Sequence, residues 1–110
     1  MAYDEDLANR LRELLADEDA VTEKKMFGGL AFLVSGNMCV SASGQGGLLA
    51  RIDPGDTDAA LERPHASLME MGGRTMDGWI RVAPEGLESD SELSAWVEQS
   101  RALVKTLPPK

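Results

Sequence analysis

The chain has 110 residues, 43% hydrophobic and 27% charged, with a formal net charge of −8. One compact domain accounts for that size and composition, and the acidity excludes a surface that grips phosphates by counterion release, which needs clustered Lys and Arg. Cys39 is the sole cysteine, which excludes an intrachain disulfide and a multi-cysteine metal site.

The N-terminus, MAYDEDLANR, lacks the basic and apolar regions of a signal peptide, and no apolar run approaches the ~18 residues that span a bilayer. A cytoplasmic, membrane-free protein is expected. From Asp4 to about Asp19, Tyr3, Leu7, Leu11, Leu14 and Leu15 recur at the spacing of one helix face. Asp4 is placed to cap that helix, with Glu5 and Asp6 in its first turn. The period then changes. Glu23–Phe27 and Leu30–Val34 read as strands, and Ser35-Gly36-Asn37 supplies a tight turn into a third strand, Met38–Ser43. Gly44-Gln45-Gly46-Gly47 permits another reversal before Leu48–Ile52.

Asp53-Pro54 marks a helix start, Asp as N-cap and Pro at the first helical position, with an end predicted near Glu62. Leu68–Met71 and Trp79–Val82 read as two further strands, joined by a loop over residues 72–78. Ser89 and Glu92 stand at capping-box spacing before a last helix that carries Leu93, Trp96, Val97 and Val104 on one face and ends near Leu107, ahead of Pro108-Pro109. The predicted fold is therefore an α+β two-layer sandwich. Its mainly antiparallel sheet has five or six strands, in the order helix, three or four strands, helix, two strands, helix.

Catalytic chemistry is not displayed. Gly28-Gly29 precedes an apolar strand rather than a helix, so a bend between strands is preferred to a phosphate cradle. His65 has no second histidine or nearby cysteine for a metal site, and Cys39 reads as a small buried hydrophobe. No glycine-flanked nucleophile elbow occurs. The expectation is a protein without catalytic, metal or cofactor-binding residues. The carboxylates at residues 4–19 and 85–98 read as solvated helix faces and ends.

A more informative signal is that Leu30–Val34 is apolar on both faces of its strand, although a two-layer fold covers only one. Leu49 alternates with Arg51, and Trp79 with Arg81. Should these side chains share the uncovered face, they form the aromatic, aliphatic and cationic mixture favoured at protein interfaces. The competing reading makes Trp79 core, with the arginines lying over it. A homodimer is the simplest cover for such a face.

The landmarks KKMFGGLAFLVSGNM, LLARIDPGDTDAAL, GGRTMDGWIRV and ELSAWVEQSRALVKTLPPK together resemble the N-terminal domain of the TfoX/Sxy competence-regulator family, from about Leu7 to Pro109. The resemblance implies one such domain over residues 1–110, and a link to transcriptional regulation of DNA uptake in the two-domain members. No second, helical domain is read up to Lys110, so a competence role is not carried over. The resulting expectation is a non-enzymatic, regulatory protein-interaction module with an unidentified protein partner and no direct nucleic-acid contact. Its candidate surface comprises Met26, Phe27, Gly28, Gly29, Leu49, Arg51, Met76, Gly78, Trp79 and Arg81. The alternative is a small-molecule-binding or enzymatic domain with a pocket near Met26, Phe27, Met76 and Trp79.

Overall fold

The structure, a computed structural model, describes residues 3–26, 28–71 and 73–109. Its first element is the predicted amphipathic helix, α1, Glu5–Leu14. The Asp4 carboxylate accepts from the amides of Asp6 at 2.9 Å and Leu7 at 3.3 Å, satisfying two of the donors a helix start leaves open. Leu7, Ala8 and Leu11 are buried. The helix ends five residues before the predicted Asp19, and the chain then turns so that Asp17 and Glu18 reach the last helix.

Four strands follow, β1 Val21–Met26, β2 Gly29–Val34, β3 Asn37–Ala42 and β4 Leu48–Arg51. A 3-10 turn, Pro54–Asp56, then leads into α2, Thr57–Leu61. Asp53 caps that turn as predicted, accepting from the Gly55 amide at 2.9 Å. The remaining strands are β5 Ala66–Met71 and β6 Arg74–Val82. A second 3-10 turn at Pro84–Leu87 precedes α3, Asp90–Val104. Ser89 caps α3 by accepting from the Ser91 amide at 3.2 Å, one position short of the capping-box geometry.

The largest departure from the sequence reading is β6. Most of the predicted 72–78 loop is strand. Pairing with β5 jumps from Leu68↔Ile80 to Met69↔Met76, leaving Asp77, Gly78 and Trp79 as an insertion that bends β6. Gly78 makes the bend with a φ of +83°, a left-handed conformation that costs side chains with a Cβ. Its amide donates to the Thr57 hydroxyl at 2.9 Å and its carbonyl accepts from Ile52 at 2.7 Å. The glycine read from sequence as a loop residue thus ties β6 to the start of α2 and the end of β4.

All six strands form one antiparallel sheet in the order β1-β2-β3-β4-β6-β5. Its cross-strand rows decide which face meets the helices. One row runs Glu23, Phe32, Val40, Ala50, Ile80, Leu68, and another runs Lys25, Leu30, Ala42, Leu48, Val82, Ala66. The apolar members of both pack with Leu7, Leu11, Leu93, Trp96 and Val97 in a single core. This is the two-layer α+β sandwich predicted, with six strands and with helices on one face only. Among the described residues, no helix is long and apolar enough to cross a membrane.

Candidate functional site: the outer face of the sheet

The face turned away from the helices is read from the intervening row, Lys24, Ala31, Ser41, Leu49, Arg81, Ser67, which crosses all six strands. Beside it Arg51 pairs with Trp79. Leu49, Arg51, Trp79 and Arg81 therefore share one face, as their alternation allowed. Among the described residues, no helix covers them. Trp79 is half-buried rather than core, and the Arg51 guanidinium lies 5.2 Å from the centre of its ring. Arg81 donates to the Gln45 side-chain oxygen. Leu49 is only 7% exposed on this open face, where it lines a cavity with Met26, Met69 and Arg81.

The face is less apolar than Leu30–Val34 suggested. Leu30, Phe32 and Val34 belong to the core, which leaves Ala31 and Leu33 on the outside. Ala31 is fully buried there, being too short to rise above its neighbours, while Leu33 is half-buried opposite Met38.

A cavity of about 310 Å³ opens on this face, lined in part by Met26, Leu49 and Met69, with Ser41, Gln45 and Arg81 as polar groups. Glu70 also lines it. A second cavity of about 370 Å³ lies across Arg81, towards His65 and Ser67. Of the residues singled out from sequence, Met26, Gly29, Leu49 and Arg81 meet in the first cavity. Met76 and Trp79 stand apart from it, and Phe27 lies outside the described residues. Ser41, Gln45 and Glu70 were missed, and Met69, one of the methionines open to a pocket role on sequence grounds, joins them. They meet because β6 inserts between β4 and β5, a crossover with no local sequence signal.

Gly28-Gly29 is a device of backbone packing. Gly28 has a φ of +76°, and a Cβ on Gly29 would stand 2.3 Å from the Ala42 carbonyl oxygen. A Cβ on Gly44 would stand 2.5 Å from the Gly28 oxygen. The close space at Gly29 and Gly44 is filled by the protein's own backbone.

Of the carboxylates near the start of the chain, Glu18 departs from the solvated reading, while Asp4, Glu5, Asp6, Glu13, Asp17 and Asp19 are exposed. The Arg101 guanidinium, buried in α3, donates to Glu18 at 2.7 Å and to Glu98 at 2.9 Å, and reaches Asp17 at 3.3 Å. Lys105 adds a contact to Glu18 at 3.1 Å. The hydrogen bonds from Arg101 hold Asp17 and Glu18 below the usual carboxylate range. On α1, Arg12 clasps Glu23 of β1 through two nitrogens at 2.7 and 2.8 Å, lowering the Glu23 carboxyl in the same way. Cys39 is fully buried, and desolvation pushes its thiol up to about 12, which leaves it the inert hydrophobe expected. Among the described residues, no group of three His, Cys, Asp or Glu side chains could hold a metal ion.

Three helices over one face of a six-stranded antiparallel sheet, with the other face open and carrying an arginine-lined cavity, define an α+β fold. The chain belongs to the TfoX N-terminal domain family, whose profile matches residues 13–103. No curated protein and no solved structure gave a match.

Proposed function

We propose that this domain is a non-enzymatic, regulatory protein-interaction module that works in the cytoplasm through the outer face of its sheet. The regulatory part of the reading comes from the family. The interaction part is supported by one observation, the cross-strand set of Leu49, Arg51, Trp79 and Arg81 on a face that no helix covers. Aromatic and arginine side chains around a partly apolar cavity make up the composition of interface hot spots. Either a second copy, giving the expected homodimer, or a different protein can occupy such a face.

Affinity capture from native lysate tests the proposal. Wild-type protein should retain a partner, or a second copy of itself, that an Arg51→Glu, Arg81→Glu double variant of unchanged melting temperature releases. Retention of the same proteins by both would sink it. A second reading, a small-molecule site, is favoured by the polar groups converging on the 310 Å³ cavity. It places the ligand against Met26, Leu49 and Arg81 rather than against Met76 and Trp79. Thermal stabilisation by a metabolite library, lost in Arg81→Gln, would support that reading.

A further inference from the structure

The charges of this molecule are sorted by layer. Three carboxylates stand in strands, Glu23, Glu70 and Asp77, and every other one lies in a helix, a 3-10 turn or a loop. On the helix side most cations are matched internally, Arg10 with Asp90, Arg12 with Glu23, and Arg101 and Lys105 with Glu18, while Lys25 and Arg63, the latter over the Trp96 ring, have no carboxylate within ion-pair distance among the described residues. The outer face differs. Among the described residues, Lys24, Arg51 and Arg81 have no carboxylate within ion-pair distance, even though the chain carries 19 acidic residues against 11 basic ones. The ring of Trp79 beneath Arg51 holds that guanidinium in place while leaving its N–H edge able to donate.

We infer that the outer face binds an acidic segment of another protein, one large apolar side chain of which enters the cavity between Met26, Leu49 and Met69 while flanking carboxylates pair with Arg81 and Arg51. This rests on the interaction-module reading and names its partner by chemistry. The cavity, at about 310 Å³, lies at the bottom of the ~300–1,000 Å³ range of small-molecule sites. It suits one side chain better than a whole ligand. Glu70, in the cavity wall, faces the same opening as Arg81 and confines a partner's carboxylates to the Arg81 and Arg51 side.

A second copy fits less well. A face-to-face twofold contact sets Lys24, Arg51 and Arg81 against the same three cations, a juxtaposition of like charges that interfaces avoid. Seating the outer face on the acidic helix layer of another copy gives a head-to-tail contact, which closes only if its rotation forms a ring.

Fluorescence anisotropy with labelled peptides tests the inference. The probe is a peptide of about twelve residues in which Asp and Glu alternate with Leu around one Trp, and the control replaces each Asp and Glu by Asn and Gln. The acidic peptide should bind about tenfold or more tighter than the amide control, weaken with salt, and lose about tenfold in Arg81→Glu. Arg81→Gln keeps the test open should the charge reversal impair folding. Arg10→Glu, on the helix side, should change binding less than about twofold. Equal binding of the two peptides overturns the inference, as does tighter binding of duplex DNA than of the acidic peptide. A dimer in light scattering that Arg81→Glu dissociates overturns it too, yet leaves the interaction-module reading standing. Absence of peptide binding, dimer and captured partner together removes both.

Discussion

Among the described residues Arg101 carries the most connected polar cluster, and its worth can be measured against pH. Its side chain and that of Glu18 are 10% and 12% exposed, so their attraction is screened less than that of a surface pair. Arg101→Met should cost about 2 kcal/mol at pH 7, between the ~0–1 kcal/mol of exposed pairs and the ~3–5 kcal/mol of buried ones. The sign with pH follows from the direction of the shifts. Asp17 and Glu18 are held below their ordinary values by Arg101, so their stabilisation is complete above the unfolded carboxylate range of ~3.9–4.3 and is lost as pH falls through the lowered folded values. Urea unfolding at pH 7 and pH 3 should therefore show the gap between wild type and variant narrowing in acid. An equal gap at both values would assign the loss to packing alone. Sequence reading gave Glu18 to solvent because its partner is 83 residues away, beyond any local pattern.

At the scale of elements, the helices were legible where periodicity was strong, as in α1 and α3, and β2 from its short unbroken apolar run. They were misread where glycine carried the geometry. In β6, Gly78 was taken for a loop end because glycine weakens a strand, whereas its positive φ and the Thr57 hydrogen bond keep the strand running through a bend. Gly28 gives a cleaner test of the same physics. A Cβ there meets nothing within 4 Å, so substitution probes backbone strain without a clash. Gly28→Val forces a β-branched residue to φ +76°, at about 1–2 kcal/mol. For a domain of this size, that predicts a melting temperature lower by roughly 4–16 °C. Gly28→Asn, which tolerates the left-handed region, should lose less. Equal melting of wild type and Gly28→Val by scanning calorimetry would refute the strain account. Loss of partner capture at unchanged melting would instead make the turn a binding loop.

For the whole molecule, the α+β layering followed from the order of periodic segments, but which face stays open did not. That depends on β6 lying between β4 and β5, which sets Arg81 beside Leu49 and Trp79 beside Arg51. The same placement sharpens the expectation about nucleic acid. Net charge alone, −8, argues against binding, but the outer face gathers Lys24, Arg51 and Arg81 on the side away from the acidic helices. At physiological salt the screening length is ~8 Å, so carboxylates on the far side of a layer ~10 Å thick only partly offset those cations. Three phosphate contacts would give a salt slope near −2.7 in log–log form, taking ~0.9 per phosphate, too shallow for tight binding. Duplex DNA should therefore bind no tighter than the non-specific range of ~10⁻⁴–10⁻⁶ M at physiological salt. An anisotropy titration decides the matter. Submicromolar binding with a steep salt slope would mean that the cations of this face act together on a phosphate backbone, and a carboxylate-bearing protein would then lose its claim to them.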